Sequence, residues 1–93
     1  MKNEFKINNH IIKVIYDDVL TSKFGYWDPV TLTIHLAKKV VNDNEELVSL
    51  TEVQITNTFC HELMHVFQHM AGIEYDELQA QVFGNFLYDY LNE

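Results

Sequence analysis

The segment that decides the fold is Thr58-Phe-Cys-His-Glu-Leu-Met-His-Val-Phe-Gln-His69. It contains the pattern His-Glu-x-x-His, with His61 and His65 four residues apart. In a helix, residues four apart lie on one face, so the two imidazoles can point at the same position. Neutral imidazole nitrogens bind zinc at about 2.0–2.1 Å. Glu62 lies beside the pair, where it is predicted to act as the general base of metal-assisted hydrolysis.

The alternative interpretation of this motif is a surface helix that carries two histidines and a carboxylate without a metal. The apolar residues around the motif argue against it, because they recur at the period of a helix. They are Ile55, Phe59, Leu63, Val66, Phe67 and Met70. A separate polar stripe holds Thr58, His61, His65 and Gln68. The segment therefore predicts a helix with one core face and a second face that presents the motif.

Length and composition predict one small domain, residues 1–93, with 47% hydrophobic residues to build a modest core. The single cysteine excludes an internal disulfide and suits a reducing compartment. The first residues lack an apolar run of signal-peptide length, and no stretch approaches the roughly 18 apolar residues of a transmembrane helix. We therefore expect a soluble, cytoplasmic protein that does not associate with membranes.

The net charge of −8 is unevenly distributed along the chain. All six lysines lie in residues 1–39 with four acidic residues, whereas residues 40–93 contain ten acidic residues and neither lysine nor arginine. A nucleic-acid partner requires a basic patch for its phosphates, so this distribution argues against one. Solvated helix faces account for most of the acidic residues, and a preference for basic substrates is a further hypothesis.

The residues before the motif predict an antiparallel sheet of three or four strands, which makes the fold class α+β. Asn8-Asn9 supplies the turn of a hairpin, because asparagine tolerates positive φ. The predicted segments are a hairpin over residues 4–16, a connector over 17–23, strands over 24–27 and 31–37, and a polar connection over 38–50. We expect this sheet to pack against the motif helix.

Capping signals predict where two helices begin and end. Ser49-x-x-Glu52 and Thr51-x-x-Gln54 are overlapping capping boxes before the motif helix, and Gly72 predicts its end. Asp76-x-x-Gln79 predicts the start of a last helix that reaches about Leu91. The apolar side of that helix, which an amphipathic helix normally buries, consists of Val82, Phe83, Phe86, Leu87, Tyr90 and Leu91.

A catalytic zinc site usually has three protein ligands and one open position. A third histidine ten residues after the first is one known arrangement, but Ala71 occupies that position. His69 lies about 12 Å along the helix from the first motif histidine, too far to share one metal. Glu77 is the predicted third ligand, because Ala80 and Gly84 on its face would allow close approach of the helices. The alternative is a first-turn acid that interacts with the helix dipole.

The run Thr58-Phe-Cys-His-Glu-Leu-Met-His65, followed by Glu77-Leu-Gln-Ala80, resembles the zincin metallopeptidases of gluzincin type. It is most similar to small phage and prophage proteins of the ImmA/IrrE-like and minimal-zincin groups, over roughly residues 10–91. The resemblance implies a protein substrate in a phage setting. The family places an Asp or Asn four residues after the ligand Glu; here Gln81 stands there and could orient a ligand histidine. Tyr75 and Tyr26 are candidates for oxyanion stabilisation, with packing as the alternative role.

These observations predict a zinc-dependent metallopeptidase in which His61, His65 and Glu77 bind Zn²⁺. Glu62 takes a proton from the metal-activated water, which attacks a peptide carbonyl. By analogy with zincins, an extended peptide or protein substrate would pair with an edge strand at residues 31–36. The alternative function is a non-catalytic zinc-binding module with the same fold that acts in binding or regulation. A third hypothesis is a helical interaction domain without metal.

Overall fold

A computed structural model describes residues 3–21 and 23–93, which form a sheet of five strands and two helices. The strands are β1 (Glu4–Ile7), β2 (His10–Thr21), β3 (Gly25–Asp28), β4 (Thr33–Val41) and β5 (Leu47–Ser49). The helices are α1 (Glu52–Ala71) and α2 (Glu77–Leu91). The predicted α+β class is confirmed. No helix in this part of the chain is both long and apolar enough to cross a membrane.

The sheet is mixed, so the prediction of a purely antiparallel sheet of three or four strands is wrong. The strand order is β1-β2-β4-β3, and β5 pairs with the far end of β4. β2 and β4 run parallel, with Val14 opposite Ile34. β3 does not pair with β2, although it follows β2 in the sequence. The next strand, β4, lies between them and pairs with both. Strands that are consecutive in the sequence usually pair with each other. The alternation of apolar and polar side chains gives no sign that another strand lies between two consecutive ones.

Several strand limits differ from those predicted. The hairpin turn at Asn8 and Asn9 is confirmed, with φ of 49° and 67°. The predicted connector over residues 17–23 is wrong in part, because β2 continues to Thr21. The polar connection over 38–50 contains the end of β4 and all of β5. The strand expected to bind substrate, residues 31–36, is not an edge, because β4 pairs with β2 on one side and β3 on the other.

The core lies between the sheet and α1. Alternate residues of β2 and β4 point towards the helix, and Val66 of α1 meets them. The buried cluster consists of Ile12, Val14, Ile34, Leu36 and Val66, with Ile55, Phe59 and Met70 packed beside it. The predicted core face of the motif helix is therefore confirmed for Ile55, Phe59, Val66 and Met70. Leu63 is half-buried outside this cluster, and Phe67 is exposed. Packing against the sheet therefore fixes which face of α1 is buried.

The predicted helix limits are confirmed by their caps. Thr51 is the N-cap of α1 and forms the reciprocal capping box with Gln54. Gly72 ends α1 with φ of 69°, a left-handed conformation in which glycine carries no steric penalty. Asp76 caps α2 by accepting a hydrogen bond from the Gln79 N–H at 2.9 Å. The short turn between Gly72 and Asp76 therefore returns the chain along α1.

α2 packs on α1 with its small residues rather than with its apolar side. Ala80 and Gly84 are its buried residues. A Cβ added at Gly84 would lie 2.9 Å from the His61 Cα, so the two backbones are almost in contact. Val82 and Phe86 face solvent, and the expectation that the apolar side of α2 is buried is wrong for most of that side. Only small residues permit this close approach, and the apolar side is consequently turned away.

Candidate metal centre

α1 and α2 bring the three predicted ligand residues to one place. One ring nitrogen of His61, one of His65 and a Glu77 oxygen all lie within 4.8 Å of one another. The Glu77 Oε1 lies 3.4 Å from His61 Nε2 and 2.5 Å from His65 Nε2. The imidazole rings of the two histidines are 5.1 Å apart and steeply inclined, at 69°. This is the convergence that the four-residue spacing and the close approach at Gly84 predict.

The two other acidic residues near the start of α2 do not join this cluster. Asp76 is the N-cap of α2, the role predicted for it. Glu74 is exposed in the connection between the helices. Glu77 begins α2 on the side of Ala80 and Gly84, so the packing of that side against α1 directs its carboxylate to the histidines. The position of Glu77 on the face of α2 that packs against α1 therefore explains why it, and not its acidic neighbours, reaches the histidines.

Gln68 is a buried residue of the site. The sequence placed it on the polar stripe of α1 but did not predict its role. Its Nε2 donates to the Asp76 carbonyl at 3.1 Å and to the Gln79 Oε1 at 2.7 Å. Because a carbonyl can only accept, these contacts orient the amide, and its Oε1 faces the His65 Nδ1 at 2.7 Å. His65 therefore donates from Nδ1. The sequence feature that indicates this contact is the spacing, because Gln68 follows His65 by three residues and so lies on the same helix face.

The hydrogen bond to Gln68 determines what the other nitrogen of His65 can do. With the proton on Nδ1, the neutral ring has a lone pair on Nε2. That lone pair faces the Glu77 Oε1, which is also an acceptor, at 2.5 Å. Two acceptors this close require a shared cation, either a proton or a metal ion. His61 Nε2 approaches the same oxygen, which adds a third possible donor atom to one position.

Tyr75 braces the acid and one histidine. Its hydroxyl donates to the Glu77 Oε1 at 2.6 Å, and its ring stacks on His65 with centroids 4.1 Å apart and planes 4° apart. Burial, together with the hydrogen bond to the neighbouring carboxylate, raises the pKa of Tyr75 to about 12. The same hydrogen bond, followed in effect by those from the histidines, lowers the pKa of Glu77. Glu77 is therefore held ionised, and Tyr75 holds its proton as a donor.

Glu62 is buried next to the cluster, one residue from His61. Burial raises the pKa of its carboxyl, and the nearby histidines counteract part of that effect. No hydrogen bond among the described residues occupies the Glu62 carboxylate, although it lines the same cleft as His61 and Glu77. A carboxylate with a raised pKa that faces an open cleft suits the acceptance of a proton.

The cleft beside Glu62 has a volume of about 380 Å³ and lies between β3 and the two helices. Phe24, Gly25, Thr58 and Gln81 contribute to its walls. A Cβ at Gly25 would lie 2.9 Å from the Thr58 Cγ2, so glycine allows β3 to approach α1 closely. β3 is the edge of the sheet on this side. The cleft therefore has an open strand edge along one wall.

Other candidates lie outside the cluster. Gln81, predicted to orient a ligand histidine, contacts Asn85 instead, and Gln68 has that position. Tyr26 stacks on His35, which bonds Asp17 on the open face of the sheet, so Tyr26 is away from the site. Cys60 is buried beneath α2, and its thiol is not part of the cluster.

The site combines two imidazole nitrogens and a carboxylate oxygen, a donor set that suits zinc, with the buried Glu62 carboxylate beside them. No family model, curated protein or solved structure matches this chain.

Proposed function

We propose that the chain is a zinc-dependent metallopeptidase of the zincin type, in which His61, His65 and Glu77 hold the metal. One observation carries the proposal: one ligand atom from each of His61, His65 and Glu77 lies within 4.8 Å of the other two. Within this cluster, His65 Nε2 and the Glu77 oxygen face each other at 2.5 Å and share a cation. A proton would satisfy this pair alone. The approach of His61 to the same oxygen favours a metal ion, which can accept all three donors.

The donor set fits zinc. Two ligands of a tetrahedral zinc ion with bonds of about 2.0–2.1 Å are separated by about 3.3 Å. The separation of 3.4 Å between His61 Nε2 and the Glu77 oxygen agrees with that value. The 2.5 Å between His65 Nε2 and the same oxygen is shorter, so the His65 ring and the Glu77 carboxylate must move apart when both bind one zinc ion. Gln68 keeps the His65 tautomer in which Nε2 has the free lone pair, as the partners of ligand histidines usually do. Three protein ligands with an open cleft beside them correspond to a catalytic rather than a structural zinc site.

When bound, zinc supplies Lewis acidity, which polarises a carbonyl group and makes a water molecule more acidic. Glu62 then has the role of general base, because it is buried at the cleft, forms no hydrogen bond with the residues that the structure describes, and has a raised pKa. It can hold the proton from water and return it to the leaving amine. Tyr75 restricts Glu77 and the His65 ring to fixed orientations, so its role is to position them.

The substrate that fits the cleft is an extended peptide alongside β3. The Phe24 carbonyl accepts from the Ala37 N–H, so Tyr26 also faces β4, and the backbone groups of Gly25 and Trp27 point outwards. These groups can form a short ladder with an added strand. In this proposal β3 has the substrate-pairing role that the sequence suggested for residues 31–36. A protein substrate in a phage setting is the part of this proposal that rests on the resemblance alone.

Metal analysis after zinc reconstitution tests the centre. We expect one zinc per chain for the parent, and a large loss of affinity in a competitive titration for His65→Gln and Glu77→Gln. His69→Gln and Glu74→Gln are matched controls, since both residues are exposed and lie outside the cluster. Parent protein with less than about a tenth of an equivalent of zinc would refute the metal centre.

Hydrolysis is tested with a library of quenched fluorescent peptides, in the presence and absence of a chelator. Glu62→Gln has nearly the same shape without the base, so it should retain zinc and lose about 10²–10⁴ in rate. Turnover by Glu62→Gln equal to that of the parent would exclude Glu62 as the base. Stoichiometric zinc with no cleavage by any variant would instead favour the non-catalytic binding module.

A further inference from the structure

α2 presents an apolar ridge to solvent on the side opposite α1. We define the outer ridge as Leu78, Val82, Phe83, Phe86 and Tyr90. Four of these are exposed by 62–74%, and Phe83 by 38%. Exposed apolar residues are common singly, but a contiguous row over three helical turns typically marks an interaction surface. The ridge is exposed because Ala80 and Gly84, on the opposite side, are the residues that contact α1.

Neighbouring aromatic rings of the ridge lie close to one another within a single chain. Phe86 lies 6.5 Å, between ring centroids, from both Phe83 and Tyr90. Leu78, Val82, Phe86 and Tyr90 follow one another at intervals of four residues, and Phe83 precedes Phe86 by three, so they form a continuous row along the helix. Side chains that contact one another in the free protein lose less conformational freedom on association. The ridge therefore has the properties of a preformed docking surface.

The charge distribution favours a second copy of this chain over a basic partner. Residues 78–88 contain no charged side chain, although residues 40–93 contain ten acidic residues and neither lysine nor arginine. A basic partner would find no acidic side chain along these three turns of the helix. A second copy of this acidic chain is compatible with the ridge, because two copies can meet there without like charges facing each other.

We propose that the outer ridge is the interface of a homodimer, formed by two α2 helices packed antiparallel about a two-fold axis. Antiparallel packing centred near residue 84 would place Leu78 of one copy beside Tyr90 of the other, and Val82 beside Phe86. Asp89, the nearest acid, would then face Gln79, a neutral hydrogen-bonding residue, in the other copy. The interface is isologous, so the same ridge serves both copies and the assembly closes at two.

The area of the ridge is sufficient for a weak, specific dimer. From the exposed fractions, and about 150–250 Å² for a full aromatic side chain, the ridge offers on the order of 600 Å² per chain. Two chains would then bury about 1,200 Å², the lower end of the range for specific interfaces. We therefore expect a dissociation constant in the micromolar range. The dimer does not depend on the metal or on hydrolysis.

Sedimentation in the presence of a chelator tests this inference, with the parent chain at concentrations from about 1 to 300 μM. The expected result is a doubling of mass from 11.0 kDa with rising concentration. Phe86→Lys and Val82→Lys should remain monomeric at every concentration. Both residues are exposed, so the variants should retain the far-ultraviolet circular dichroism of the parent. Leu78→Lys is a third, independent probe of the same ridge.

Ile11→Lys is the matched control. Ile11 is 50% exposed on the open face of the sheet, so it carries the same type of substitution on a different apolar surface. It should dimerise as the parent does. A parent chain that stays monomeric up to about 300 μM would overturn the inference and leave the ridge to a different protein or to a flanking segment. Dimers that persist in folded Phe86→Lys and Val82→Lys but disappear in Ile11→Lys would also overturn it.

Discussion

Gly84→Ala should destabilise the protein, although alanine is the better helix former. An exposed glycine inside a helix costs about 1 kcal/mol relative to alanine, so substitution alone should be stabilising. At this position the new Cβ would lie 2.9 Å from the His61 Cα and 3.0 Å from the His61 nitrogen. These are backbone atoms, which cannot rotate away as a side chain could. The two helices must therefore separate.

The expected magnitude follows from the competition between these two effects. Inserting a methyl group into a closely packed contact typically costs about 1–3 kcal/mol. The rigid backbone on the other side places Gly84→Ala in the upper part of that range, so a net loss of about 1–2 kcal/mol remains after the gain in helix propensity. For a domain of this size, that corresponds to a decrease in Tm of roughly 5–15 °C.

Thermal unfolding of the metal-free protein measures this effect. Asn85→Ala is the matched control, because Asn85 is the next residue of the same helix and is exposed. It should melt at or slightly above the temperature of the parent. A competitive zinc titration adds a second measurement, because separation of the helices moves Glu77 away from His61 and should weaken zinc binding at least tenfold. A Gly84→Ala variant that melts above the parent would refute the close helix contact.

Three further predictions concern buried groups. Gln68→Leu should weaken zinc binding about 10–100-fold in a competitive titration because His65 loses its tautomer-fixing partner, whereas Gln81→Leu should not. Burial raises the pKa of Glu62, so its contribution to stability is present below pH 4.5 and is lost as the pH rises through the raised pKa. Glu62→Gln should therefore raise the Tm of the metal-free protein at pH 7 but not at pH 4; equal shifts would contradict this. Burial also raises the pKa of the Cys60 thiol, so alkylation by iodoacetamide should be slow until the protein unfolds; rapid native modification would contradict its burial.

The helices and the histidine pair could be predicted because their causes are local. The four-residue spacing of His61 and His65 sets their common face within one helix, whatever surrounds it. The caps at Thr51, Gly72 and Asp76 depend on hydrogen bonds and φ angles within a few residues. Glu77 could be predicted as the third ligand because the small residues on its face, Ala80 and Gly84, are visible in the sequence. The structure places all three predicted ligand residues together.

The path of the chain through the sheet was decided only by the tertiary structure. Whether β4 lies at the edge or between β2 and β3 depends on contacts between distant residues, and the same side-chain alternation fits both arrangements. The role of Gln68 likewise required the loop before α2, which provides the Asp76 carbonyl that orients its amide.

The orientation of α2 separates most clearly what the sequence determined from what the tertiary structure decided. The sequence by itself determined that this helix has an apolar side, at the positions of Val82 and Phe86, and a side of small residues, Ala80 and Gly84. Amphipathicity predicts that the apolar side is buried, yet the small side packs on α1. Hydrophobic burial and the close approach of two backbones compete for the same helix, and only the three-dimensional arrangement shows which of them prevails.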